Sequence, residues 1–373
     1  MSLLESLPLP VIAAPMAGGP STPQLVAAVA QAGGFGFLAG GTAQASELAD
    51  DMRRAHAEVS AGEPGKSSHA RGFGVNLFCR QNPYHRLDEV RRVARMLQPE
   101  FAARGLDGPR VPDVEYDFGW SDKLSAVLAA AAAGSGPAVV SCTFGCFTSE
   151  EVESLHEAGV EAWVTVTNER DALAAERVGA DALVVQGPEA GGHRSTWTVE
   201  TIPDLRPLPA LLRAVHNNVS LPLVAAGGVS SASRVAAALE LAGVRAVACG
   251  TAFLCADEAG TSTANRRLLA AGGPTESTRA FSGRYARGLA TEFTRKHREL
   301  PPCYPHLNQM LAPLRGEPEF AYCLAGEGVA DVHPAPAAAL AAELAEEARG
   351  GRSQEAARSV EKSRRGEATA DGA

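Results

Sequence analysis

Residues 181–196 read DALVVQGPEAGGHRST, and the reading of this stretch decides the fold. The run from Asp181 to Gln186 is short, apolar and β-branched, the composition of a parallel strand covered on both faces. It stops at Gly187 and Pro188, and the pair Gly191 and Gly192 follows with His193 directly behind. A histidine at that place fills no core. Two readings stand here: the glycines make a turn that His193 caps, or the backbone passes close to a ligand and presents an imidazole to it.

Working outward, runs of the same kind recur at 11–15 (VIAAP), 35–40 (FGFLAG), 72–78 (GFGVNLF), 138–145 (AVVSCTFG), 162–167 (AWVTVT), 182–187 (ALVVQG), 222–228 (PLVAAGG) and 246–251 (AVACGT). Alanine- and leucine-rich helical patterns lie between most of them. In STPQLVAAVAQAGG, for example, Ser21 is the expected N-cap, Pro23 sits in the first turn and Gly33 is the stop. This alternation predicts an α/β fold, a closed TIM (β/α)8 barrel. An open doubly wound sheet would carry G-x-G-x-x-G at its first turn, whereas this chain has PMAGGPSTP. The expected organisation is a barrel over residues 1–260, interrupted by an insertion at 79–137 after the third strand that holds the helix LDEVRRVARMLQPEFAARG. A small helical cap on the barrel mouth is expected at 261–333. An alanine/glutamate helix beginning at 334 then decays into a polar, mobile tail.

Bulk composition narrows the class of ligand. A 373-residue chain with 45% apolar and 21% charged residues can bury a large core, and a formal net charge of −9 disfavours nucleic acid and anionic membrane as partners. A small molecule is the default ligand. The seven cysteines (79, 142, 146, 249, 255, 303 and 323) are scattered without CxxC or Cys/His spacing, which predicts reduced thiols in a cytoplasmic protein with no metal site. The N-terminus lacks a basic region and is broken by prolines, so it is not read as a signal peptide. The apolar run from Leu124 to Val140 is interrupted by glycine and proline and is not read as a membrane span.

In a barrel the reactive groups gather at the carboxyl ends of the strands, where this sequence concentrates its glycines. Ala226, Gly227 and Gly228 end the seventh run, with Ser230, Ser231 and Ser233 behind them; Gly250 and Thr251 end the eighth. Glycine permits close approach to an anion, and helix N-termini offer free N–H groups, so a phosphate site is expected there. Across the mouth lie Ala14, Pro15 and Met16 from the first run, Asn76 from the third, and Gln186, Gly191, Gly192 and His193 from the sixth. A planar ring with polar edges and a phosphate tail suits this set, and FMN has that shape.

AAPMAGGPSTP, GFGVNLF, QGPEAGGHR, AAGGV and ACGTAF occur in this order, and over roughly residues 8–325 the chain resembles the nitronate monooxygenase family, formerly called 2-nitropropane dioxygenases. The EAGGH element is shared with FMN-containing enoyl-acyl-carrier-protein reductases. The resemblance implies an FMN-binding TIM barrel that oxidises alkyl nitronates, such as propionate 3-nitronate, with O2 to a carbonyl compound and nitrite, a detoxification of nitro compounds. It places the catalytic histidine at His193 and the flavin contacts at Ala14, Pro15, Met16, Asn76, Gln186, Gly191, Gly192, Ala226, Gly227, Gly228, Gly250 and Thr251. Some relatives carry lysine or glutamine where this chain has Thr165, which puts the tuning of the flavin in question. Ser195 and Thr196 replace a glycine that follows the histidine motif elsewhere and are expected to reshape that loop.

His193 has two expected jobs: protonated, it holds the anionic nitro oxygens, the role preferred for a nitronate; neutral, it abstracts the α-proton of a nitroalkane. Glu189 is a candidate to orient the imidazole, set against a solvated surface acid. Arg284 is a candidate cation for a carboxylated nitronate, set against a surface arginine paired with an acid. The competing functions are an NAD(P)H-dependent FMN reductase of an enoyl thioester or quinone, and a phosphate-binding barrel with isomerase or lyase chemistry and no flavin. A homodimer is the oligomer considered.

Overall fold

The computed structural model describes residues 2–61 and 72–348; the polar tail expected from Gly350 onward lies outside the described residues. Every one of the eight runs is a strand. In chain order the strands are β1 (Val11–Ala13), β2 (Phe35–Ala39), β3 (Gly74–Phe78), β4 (Val139–Thr143), β5 (Glu161–Val166), β6 (Ala182–Gln186), β7 (Gly192–His193), β8 (Leu223–Ala226), β9 (Val244–Cys249), β10 (Thr275–Thr278) and β11 (Ala286–Leu289). All but β7, β10 and β11 form a closed barrel in the order β1-β2-β3-β4-β5-β6-β8-β9. Parallel pairing of Val11–Ala13 with Val247–Cys249 shuts it.

Two apolar layers hold the barrel. Inside, Ile12, Phe35, Phe37, Trp163 and Val224 fill the lumen, and Leu4 and Leu7 from the N-terminal turn join them. Outside, alternate strand residues such as Val11, Val75, Val140, Val164, Leu183 and Val247 meet the inward faces of the helices. Side-chain caps start three of those helices. Thr148 and Asn168 accept from the N–H groups of Glu151 and Asp171 at the heads of Ser149–Glu157 and Glu169–Arg177. At the first helix, Pro23–Gln31, the cap is Thr22 rather than Ser21: the Thr22 hydroxyl accepts from the Leu25 N–H at 3.0 Å. The Ser21 hydroxyl accepts from the Met16 N–H at 2.9 Å and pins the turn after β1 instead.

The segment between β3 and β4 contains two helices with different roles. Trp120–Ala132 packs on the barrel beside Ala45–Ser60 and so fills the helical position of that βα unit. Leu87–Ala102 stands away from the barrel and shares a second core with the C-terminal segment: Tyr84, Val90, Leu97 and Phe101 pack with Phe293, Leu307, Leu311 and Phe320. After β9 the chain does not return at once to the ring of helices. Where a helical cap was expected, it carries an antiparallel hairpin, β10 and β11, as well as short helices. β11 pairs with the two-residue β7, placing Ala286 opposite His193. The chain then comes back, and the helix Ala337–Leu344 docks between Pro23–Gln31 and Ala232–Leu239 to complete the ring.

Candidate active site

The carboxyl ends of the barrel strands open into a cavity of about 420 Å³. Its walls bring together the whole set singled out from sequence: Ala14, Pro15 and Met16, Asn76, Gln186, Gly191, Gly192 and His193, Ala226, Gly227 and Gly228, Gly250 and Thr251. Thr165 also lines it. The floor is the top of the lumen core, Ile12, Phe37, Trp163 and Val224; Phe144 and Tyr304 flank His193, and Asn308 and Tyr322 also line the cavity.

His193 is fixed by a residue 89 positions away. Its Nε2 lies 2.7 Å from the Ser282 hydroxyl, so Nδ1 is the ring nitrogen left to the cavity. Its ring meets Phe144 edge-on at 5.9 Å and Tyr304 at 5.3 Å between centroids. The ring keeps surface only towards the cavity. Burial, reinforced by the guanidinium charges of Arg284 and Arg315, pushes its pKa from the ordinary 6.5 down to about 3. The imidazole is therefore neutral near pH 7 in the ligand-free protein, which favours the second role read from sequence, the neutral base, over a protonated histidine gripping the nitro oxygens. Glu189 does not orient it either: its Oε1 accepts from the Leu208 N–H at 3.1 Å, at the start of the helix Leu208–His216, where the helix dipole favours a carboxylate.

The loop after β6 is tied down from three sides. The Gln186 side chain donates to the His193 carbonyl and accepts from the Ser195 N–H, each at 2.9 Å, so most of its amide clamps the loop. The Ser195 hydroxyl accepts from the Phe144 N–H at 3.2 Å and reaches the Thr165 carbonyl at 3.5 Å, which stitches together the ends of β4, β5 and β6. Phe144 needs such support because its φ of +73° is a left-handed conformation that bulky side chains rarely adopt. Arg284 is neither over the mouth nor on the surface. It is 1% exposed, lies behind the aromatic wall 4.1 Å from the centre of the Phe144 ring, and is bonded to the Thr196 carbonyl at 2.7 Å and to Gln81.

What the cavity can hold follows from its free groups. Asn76 spends its N–H groups on the hydroxyls of Ser141 and Thr143, at 2.9 and 3.0 Å; its Oδ1 meets only the Thr143 hydroxyl, at 3.5 Å, and keeps a lone pair to accept from the edge of a ring. At the other end the N–H groups of Gly227, Gly228 and Gly250 have no acceptor among the described residues. Gly227 stands at φ +118°, where any side chain is strained, and a Cβ there would lie 3.0 Å from the Ala190 nitrogen. Orphaned amides in a glycine cradle suit an anionic tail. The set thus fits a flat ring with an anionic tail.

Sequence reasoning singled out Arg284 but expected it over the mouth or on the surface; it missed Tyr304, which lines the cavity, Ser282, which holds His193, and Arg315, which lies against Tyr322, none of which carries a local signal. The segment 325–331 was also missed. It straps the anionic end, with the Gly326 N–H donating to Thr251 Oγ1 at 2.9 Å, the Glu327 N–H to the Glu189 carbonyl at 3.1 Å, and the Ser230 hydroxyl to Asp331 at 2.6 Å. A Cβ on Gly191 would lie 2.5 Å from the Gly326 nitrogen, so this contact requires glycine.

Fold and cavity together give a (β/α)8 barrel with a candidate site at the carboxyl ends of its strands. The family profile described as nitronate monooxygenase matches residues 2–341. Nitronate monooxygenase of Pseudomonas aeruginosa is 37% identical over 356 residues, 91% of this chain and 96% of that one. The enzyme of the same name from Paraburkholderia phytofirmans is 32% identical over 351 residues, 91% and 92% of the two chains. Among solved structures, nitroalkane oxidase from Streptomyces ansochromogenes superposes with a TM-score of 0.81 at 36% identity, covering 94% of this chain and 99% of that one. FabK from Thermotoga maritima, at TM-score 0.67 and 22% identity over 95% and 97%, shares the fold. The chain belongs to the nitronate monooxygenase family and is a flavin-dependent oxidoreductase.

Proposed function

We propose that this enzyme oxidises alkyl nitronates, propionate 3-nitronate among them, with O2 to a carbonyl compound and nitrite, and that its flavin is FMN. The observation that carries the reading is the single cavity that joins a glycine cradle of unpaired amides at one end to a neutral histidine in an aromatic wall at the other. In this reading Gly227, Gly228, Gly250 and Thr251 hold the phosphate. Ala14, Pro15 and Met16, Asn76, the remaining N–H of Gln186, and Gly191 and Gly192 border the ring. Bound FMN supplies the acceptor for the substrate's electrons and the centre at which oxygen reacts.

The chain's own residues do the rest. Ser282 holds His193 at Nε2, so Nδ1 faces the substrate; as a lone pair it takes the α-proton of a neutral nitroalkane, and as N–H it donates to a nitro oxygen. Phe144 and Tyr304 keep water from the reacting end, which strengthens every electrostatic contact inside. The seven thiols, none bridged, support a reducing cytoplasmic setting.

Oxygen uptake by the purified, air-equilibrated protein on addition of propionate 3-nitronate, without NAD(P)H, tests the reading. Rapid uptake with nitrite release is expected. A yellow protein that stays idle until NAD(P)H and an enoyl thioester or quinone are supplied is a reductase instead. A protein that remains colourless after incubation with FMN would overturn the cofactor assignment.

A further inference from the structure

The cavity is lined by no ionised side chain among the described residues, yet two cations, the buried Arg284 and the half-buried Arg315, stand just behind its wall. Arg284 is bonded only to neutral oxygens, those of Thr196 and Gln81, and its Nε has no partner. Arg315 donates to the carbonyls of Phe281 and Phe320 and to the amide oxygen of Asn308. Neither forms an ion pair with a carboxylate among the described residues; Glu200 acts on Arg284 only through space. Each lies against a ring that faces the cavity: Arg284 is 4.1 Å from the centre of Phe144 and 5.6 Å from that of Tyr304, and Arg315 is 4.2 Å from that of Tyr322. The groups facing His193 add nothing negative, because Ser282 is neutral and burial pushes the Tyr304 hydroxyl up to about 12.

Buried charges are ordinarily paired, because desolvation without a partner is costly. Two unpaired guanidiniums behind one wall are accounted for if their counter-charge arrives with the ligand. We propose that Arg284 and Arg315 are the charge-selecting element of the cavity, drawing a small anion to the His193 end by their field across the aromatic wall rather than by contact. The inference rests on the reading that substrate reacts beside His193. It assigns the choice of nitronate over its neutral nitroalkane to residues that touch neither. The low-dielectric wall transmits that field with little screening, so distance does not abolish it. The wall itself is left to select the carbon skeleton by shape.

Calorimetric titration of the flavin-loaded enzyme with acetate and with its neutral isostere acetamide tests this. In the unaltered protein acetate should bind at least tenfold more tightly; equal affinity overturns the proposal whatever the variants do. Arg284→Met should weaken acetate at least tenfold while acetamide moves less than twofold, and Arg284→Lys should restore much of the difference. Loss of both ligands together would make Arg284 a packing residue and overturn it. Arg315→Met repeats the comparison if Arg284→Met does not fold. Removing either charge should also raise the His193 pKa, though burial, the larger cause, keeps it below 6.5. If discrimination between the two probes depends on Arg284 in a protein that does not consume nitronates, the nitronate reading fails and this one stands. Normal nitronate turnover with equal affinity for the probes does the reverse.

Discussion

His193 titrates outside the physiological range, so its behaviour with pH is the sharpest check at the scale of one residue. Its pKa is depressed from 6.5 to about 3, so between those values the unfolded chain binds a proton that the folded chain excludes. Stability accordingly rises with pH through that window, and the imidazole stays neutral down to its acid end. Once the substrate's own ionisation is allowed for, kcat/KM should show no limb near pH 6.5; a limb there that vanishes in His193→Asn would contradict a neutral histidine. The same substitution should leave the flavin bound and lower kcat/KM by about 10²–10⁴, the usual share of one positioned acid–base group. His193 was legible in sequence because it follows a strand and two glycines within one short motif. Ser282, which fixes it, was not, since nothing local in SGRYARG tells which histidine a serine will meet across 89 positions.

At the scale of elements, the barrel strands were legible because each is a buried apolar run closed by glycine or a polar turn. Their observed ends fall within about two residues of the expected ones, as is usual for boundaries read from pattern. What stayed hidden were elements made by distant pairing. β7 has two residues and exists only because β11 lies beside it, and the strap at 325–331 has no period at all. The turn after β8 offers a direct test. Gly227→Val would force a β-branched residue into φ +118° and push its Cβ against Ala190, closing the cradle. The purified variant should lose most of its flavin, read from the ratio of visible to ultraviolet absorbance. Full flavin content with an unchanged spectrum would move the phosphate site elsewhere.

At the scale of the molecule, barrel and cap are interleaved rather than consecutive. The insertion after β3 packs on the C-terminal segment through Leu97, Phe101, Leu307 and Phe320, and that segment returns to the barrel with Ala337–Leu344. The sequence showed an alanine/glutamate helix there but not its place, because an alanine-rich face fits many grooves. Leu340 is buried against the same core as Leu25 and Val235. Leu340→Ala should therefore cost about 2–5 kcal/mol of unfolding free energy in urea, the range for truncating a buried leucine. A loss below about 0.5 kcal/mol, the usual size for an exposed site, would show that the helix merely rests on the surface. The late arrival of this helix has a further consequence for synthesis. The flank of Pro23–Gln31 waits for a partner some 310 positions downstream, so a chain emerging from the ribosome carries an open, apolar seam until Ala337–Leu344 has been made. Premature termination anywhere before residue 337 releases that seam uncovered, which makes truncated products a target for chaperones and proteases rather than a reservoir of partly working enzyme.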